Sequence, residues 1–185
     1  MGRHKSINRM CVLDAAEQIV RTQGTASLTI DAVAKAAGVT KGGIQSCFGT
    51  KDELINAMYQ RWEDEFDEMM VASIGADNSR EARVRAHVDI TYRTDAAEGD
   101  RAAGMMASLL NVPENLAKSK EWYARQLADL DMNSQEGRNA RLAFLASEGV
   151  FLLRYFGFMA VDDETWQVVF TDITSLLPTD IPSQF

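Results

Sequence analysis

Apolar residues recur every three or four positions along most of this chain and almost nowhere alternate, a pattern that predicts helices and no strands. Val12, Ala15, Ala16, Ile19 and Val20 share one face of a first helix over about residues 8–23, which Gly24 stops. Ile30, Val33, Ala34 and Ala37 mark a second, short helix; Gly38-Val39-Thr40 interrupts the pattern, and residues 41–48 resume it as a third. Thr29 and Thr40 stand where a hydroxyl can cap each of these two helices, and Gly38 supplies the tight turn between them. Thr50 opens a long helix to residue 74, striped by Leu54, Met58, Trp62, Phe66 and Met69 with Ile55 and Met70 alongside. After a loop at 75–79, further helices are expected over 80–97, 101–111, 114–131, 135–159 and 164–177. Asp100, Pro113, Ser134 and Asp163 serve as start signals, and Pro178 with Pro182 ends the last helix.

Composition narrows the class. In 185 residues, 46% hydrophobic and 25% charged residues describe an ordinary globular chain. The best apolar run, at 150–153, ends at Arg154, far short of the roughly 18 residues that cross a bilayer. The basic start Arg3-His4-Lys5 is followed by Asp14, Glu17 and Gln18 instead of a signal-peptide core, so a cytoplasmic protein is expected. Cys11 and Cys47 are too few for a disulfide framework or zinc site.

The net charge of −8 argues against a polyanion partner until it is resolved along the chain. In residues 1–51, Arg3, Lys5, Arg9, Arg21, Lys35, Lys41 and Lys51 outnumber Asp14, Glu17 and Asp31 by four, which leaves −12 for residues 52–185. A basic head precedes an acidic body. Residues 29–48 in that head fit a helix-turn-helix, in which the second helix enters the major groove. Ile30, Val33, Ala34, Val39, Ile44 and Phe48 form its buried side, and Lys41, Gly42, Gly43, Gln45 and Ser46 remain for DNA. A plain helical hairpin would show the same apolar pattern.

From Val12 to about Met58 the sequence resembles the N-terminal domain of the tetracycline-repressor (TetR) family of transcriptional regulators. The resemblance rests on Ala15-Ala16, Gly24, Leu28-Thr29, Val33-Ala34, Ala37-Gly38-Val39, Lys41-Gly42, Phe48, Lys51 and Leu54. It implies an all-α fold: a three-helix helix-turn-helix domain, placed at 1–51, followed at 52–185 by a helical ligand-binding and dimerisation domain that includes the long helix. It further implies a homodimer that binds double-stranded operator DNA and is released by a small-molecule effector; from the residues themselves, no membrane partner, metal or cofactor is expected. Lys51 resembles the family's phosphate-binding lysine, at a helix start that itself favours anions. The candidate DNA contacts are Thr29, Thr40, Lys41, Gly42, Gly43, Gln45, Ser46 and Lys51, with Arg3, Lys5 and Arg9 as a flexible arm or a solubilising tail. Gln45, and Ser46 or Cys47, depart from the aromatic or histidine common in the family; Gln45 can pair with adenine or contact phosphate and water. Gly42 and Gly43 predict a recognition helix that is loosely ordered until bound.

In the body, the family resemblance implies that the last two helices pair with those of a second subunit as a four-helix bundle. Leu142, Leu145, Gly149, Leu153 and Phe156, with Ala146, form the candidate face on one helix, and Trp166, Val169, Phe170 and Ile173 on the other. Met69, Met70, Tyr92, Met106, Trp122, Tyr123, Phe151 and Tyr155 are core residues or, as a set, an adaptable cavity for an apolar or amphipathic ligand. Asp89, Glu98 or Glu148 could favour a cationic one. With His4 and His87 the only histidines and no nucleophile or phosphate-binding constellation, no catalytic residues are expected. The alternative is the same fold controlled by a protein partner or by oxidation of Cys47, itself readable as an inert small residue.

Overall fold

The protein is described here from a computed structural model, which defines residues 7–74, 77, 79–109 and 113–178, with only the backbone given at 109 and 113–115. Arg3, His4 and Lys5, most of the 75–79 loop, Asn111 and Pro182 lie outside the described residues. Among the described residues there are nine α-helices and no strand: α1 (Arg9–Gln23), α2 (Ile30–Ala37), α3 (Lys41–Phe48), α4 (Lys51–Ile74), α5 (Arg80–Arg93), α6 (Ala96–Leu109), α7 (Pro113–Leu127), α8 (Gln135–Tyr155) and α9 (Asp163–Ser175). The chain forms two compact units, Met1–Glu65 with Asp100–Lys118, and Phe66–Gly99 with Ser119–Phe185. The units therefore differ from a division at 51/52, since α4 belongs to the first through residue 65 and α6 returns to it from residue 100.

The first unit is built on side-chain caps. Asn8 accepts from Met10 N and Cys11 N, Thr29 from Ala32 N and Thr40 from Gly43 N, each satisfying a helix-start donor that would otherwise lack a partner. Gly38 adopts the left-handed conformation (φ 66°, ψ 32°) that closes α2 and turns the chain into α3. At the start of α4 the box is reciprocal: Glu53 N donates to Thr50 Oγ1 (3.2 Å) and Thr50 N to Glu53 Oε2 (2.6 Å). A short 3-10 turn, Thr25–Ser27, which the apolar spacing does not foretell, bridges α1 and α2. The core unites Val12, Ala16, Leu28, Val33, Ile44, Leu54 and Met58 with Met105 from α6. At about 1.5–3 kcal/mol for each large side chain, this burial dominates the unit's stability.

A charged network joins three helices beside that core. Glu17 of α1 pairs with Arg61 of α4 and with Arg101 Nε of α6 (2.7 Å); Asp14 also holds Arg61 (2.7 Å) and Glu65 also holds Arg101 (2.7 Å). Partial burial works against the charge of both guanidiniums, yet their hydrogen bonds to these carboxylates outweigh it and hold both above the ordinary arginine value.

In the second unit α5 packs on α8 and α9, and α8 on α9. Val84, Val88, Ala140, Ala143, Phe144, Val150, Phe151, Trp166, Phe170 and Ile173 are buried there. Ser79, Ser134 and Asp162 cap α5, α8 and α9. Several helix boundaries differ from the sequence expectation, among them the end of α7 at Leu127 instead of 131. α5 ends at Arg93 and α6 starts at Ala96, because Asp95, not Asp100, accepts from Glu98 N (2.9 Å). α8 stops at Tyr155, where Phe156 N donates to Leu152 O and Gly157 takes φ 72°.

Candidate nucleic-acid interface and effector site

The helix-turn-helix presents its two faces as the sequence requires. Val33, Ala34, Ile44 and Phe48 are buried, with Ile30 and Val39 partly so, while Lys41, Gly42, Gln45, Ser46 and Lys51 are exposed and Gly43 half-buried. Thr29 and Thr40 are exposed caps whose oxygens already accept backbone N–H groups, which leaves their O–H hydrogens for an anion. Lys41 does not stand free: its Nζ lies 2.8 Å from Asp31 Oδ2, an exposed pair between α2 and α3. α3 is helical across both glycines, with Gly49 N donating to Gln45 O at its end.

Arg9 is not part of a loose arm. It is the first residue of α1, donates to the carbonyl of Cys47 (2.5 Å) and lies over the Phe48 ring, 4.1 Å from its centroid. A cation thus satisfies a carbonyl in the last turn of the recognition helix. The Cys47 thiol is half-buried, 3.7 Å from the same guanidinium, and Cys11 is exposed. Nothing in the linear pattern flags Arg9, because its partner lies at the far end of the motif.

The candidate effector residues fall into separate groups. Trp122 and Tyr123 of α7 gather with Phe66 of α4, His87 of α5 and Phe144 of α8; the His87 and Phe144 rings lie 4.6 Å apart and those of Phe66 and Trp122 5.8 Å. Inside this group Glu148, with 14% of its side chain exposed, faces His87 Nε2 at 2.8 Å and accepts from Tyr123 O–H at 2.6 Å. Phe151 and Tyr155 join a second aromatic group with Trp166, Phe170 and Tyr92. Met70 is buried and Met69 exposed, and Met106 belongs to the first unit. Of the three acids considered, Asp89 pairs with Arg93 at 3.0 Å and Glu98 is exposed, so only Glu148 is enclosed by rings. His87 was legible only as a position in step with Val84, Val88 and Thr91 on the buried face of α5.

On α8, Leu142 and Leu145 (each 51% exposed) and Leu153 (39%) line an outward stripe with Ala146, Gly149 and Phe156, and a Cβ at Gly149 would meet nothing within 4 Å. On α9 the expected interface residues Trp166, Phe170 and Ile173 are instead buried within the unit, Trp166 Nε1 donating to Tyr92 O (3.0 Å). Their apolar spacing marks the inner face of α9. Val168 is its exposed apolar residue and Val169 is half-buried.

No helix among the described residues is long and apolar enough to cross a membrane. Among known proteins, the family model described as "Bacterial regulatory proteins, tetR family" matches residues 12–58, and "Tetracyclin repressor-like, C-terminal domain" matches residues 81–178. The HTH-type transcriptional regulator BetI of Rhizobium meliloti (strain 1021) is 27% identical over 123 residues, 65% of this chain and 61% of that relative. The match thus spans less than two thirds of that relative's length. A transcriptional regulator from Rhodococcus sp. Rha1 superposes with a TM-score of 0.69 at 16% identity, covering 92% of this chain and 95% of the other. The multidrug binding protein EbrR, complexed with malachite green, gives 0.66 at 21% identity over 93% and 99%. These structural likenesses speak to the fold, whereas the family models cover the helix-turn-helix and more than half of the chain behind it: the chain belongs to the TetR family of DNA-binding transcriptional regulators.

Proposed function

We propose that this regulator is a homodimeric repressor whose operator contacts lie on α3 and at Lys51, and which a small aromatic cation releases by binding among the rings around Glu148. The observation that carries the effector reading is this enclosed carboxylate, since ring faces and a negative group together suit a delocalised cation. EbrR, a multidrug binding protein of the same fold bound to malachite green, supports that class of ligand. The outward stripe of α8, with Val168 and Val169 of α9, is the proposed dimer face; it revises the α9 set, because Trp166, Phe170 and Ile173 are engaged within the unit. A two-fold dimer would set two recognition helices one helical turn of DNA apart.

α4 is continuous from Lys51, the proposed phosphate contact, to the turn beyond Phe66. A ligand that shifts its second half changes the pose of the first, and a coupling of about 1–3 kcal/mol would lower operator affinity roughly 5–150-fold. The test is anisotropy of labelled DNA taken from beside the protein's own gene, with and without malachite green. Calorimetry of the dye on free and DNA-bound protein then checks reciprocity. Steep salt dependence and weaker DNA binding with dye are expected. DNA affinity that does not change when the dye is bound refutes release.

A further inference from the structure

His87 has one nitrogen in use and one idle. Its Nε2 faces Glu148 Oε1 at 2.8 Å, while Glu148 Oε2 accepts from Tyr123 O–H. A carboxylate cannot donate, so Nε2 carries a proton, and in the neutral ring the lone pair lies on Nδ1. That atom is fully enclosed, in a residue only 3% exposed, and no group among the described residues hydrogen-bonds to it. Buried acceptors are ordinarily paired, so an unpaired one in an otherwise satisfied triad calls for a partner.

We infer that His87 Nδ1 is the polar anchor of the effector site, and that the effector is an aromatic cation bearing an N–H or O–H donor. This rests on the reading of the Glu148 cluster as the effector site. The rings of Phe66, Trp122 and Phe144 lie within 4.6–6.0 Å of the imidazole, so a donor reaching Nδ1 carries its own ring in among them. The Glu148 carboxylate set among these ring faces favours a cation. A donor-free analogue of the same shape would leave Nδ1 unpaired and bind more weakly.

Pararosaniline and crystal violet test this on the full chain, since they share one triarylmethane cation but carry primary amines and dimethylamines respectively. Tryptophan quenching or calorimetry should show pararosaniline binding at least about tenfold more tightly, the worth of one hydrogen bond to a formerly unpaired buried acceptor. In His87→Gln, which keeps the donor to Glu148 and removes Nδ1, the gap should close to within about twofold through weaker pararosaniline binding. His87→Asn places an amide oxygen near the Nδ1 position and should retain a preference, which gives a second reading if the glutamine variant folds poorly. Equal binding of both dyes, or a gap that persists in His87→Gln, would overturn the donor inference and leave the effector site standing. Binding of neither dye would overturn both.

Discussion

Two adjacent glycines in α3 offer a test in which the same substitution should have different outcomes one residue apart. Glycine in a helix costs roughly 0.5–1 kcal/mol relative to alanine, because the unfolded chain loses more freedom when it orders. Neither Gly42 nor Gly43 has a positive φ, so alanine suits the backbone at both. The surroundings differ. A Cβ at Gly42 meets nothing within 4 Å, whereas one at Gly43 would lie 2.5 Å from Ile7 Cδ1 and 3.1 Å from Thr40 Oγ1, the oxygen that caps the helix. Ile7 packs against the core of the first unit, so moving it gives up contacts and crowds the cap. Gly42→Ala should therefore stabilise by about 0.5–1 kcal/mol, raising Tm by about 1–4 °C for a chain of this size. Gly43→Ala should gain nothing or lose about 1 kcal/mol. Thermal and urea unfolding followed by circular dichroism measure both. A Gly43→Ala protein as stable as Gly42→Ala would show that the end of Ile7 swings aside without cost and would refute the expected difference.

Three further outcomes follow from the charged groups. Asp31→Asn frees Lys41 and removes a negative charge beside α3; breaking such an exposed pair costs about 0.2–1 kcal/mol, so DNA affinity should rise a few-fold at low salt and converge with the parent at high salt, as read by anisotropy. Glu17→Gln should cost about 1–2 kcal/mol in urea unfolding, less than the roughly 3–5 for a pair with no alternative partner, because Asp14 and Glu65 still hold Arg61 and Arg101. At the start of α4, hydrogen bonds from the Thr50 backbone and hydroxyl hold the Glu53 carboxyl below its ordinary value of 4.5. A depressed carboxylate stabilises the fold above its unfolded pKa and loses that effect as pH falls through the folded one, so urea midpoints should drop below about pH 4.5 and drop less in Glu53→Gln.

The helices were legible where a cap and an apolar stripe coincide within a few residues. Thr29, Thr40 and Ser134 each sit one position before the helix they open. The corner between α5 and α6 was not, because Asp95 and Asp100 offer the same capping chemistry at the same sort of boundary. What separates them is tertiary. A Cβ at Gly99 would lie 2.0 Å from carbons of the Tyr155 ring, and the Tyr155 hydroxyl reaches Thr94 O and Asp95 O, so a residue sixty positions away accompanies the choice of start. Similarly, a stripe such as Trp166, Phe170 and Ile173 states that one side of α9 is covered, but not whether its own unit or a second subunit covers it.

The same distinction separates the two halves of the site. The proposed DNA face is contiguous: turn, caps and exposed side chains lie within residues 29–51, and the spacing alone orders them on one surface. The group around Glu148 takes Phe66, His87, Trp122 and Phe144 from four different helices, so each residue by itself reads as ordinary core. α8 compounds this, since it is apolar on both sides, Phe144 and Phe151 inward and Leu145 and Leu153 outward, and its periodicity cannot say which side holds a buried acid. Only the pairing does. A carboxylate enclosed by rings demands donors, and Tyr123 and His87 supply them; in the neutral imidazole that leaves the lone pair on Nδ1, for which the described residues offer no donor.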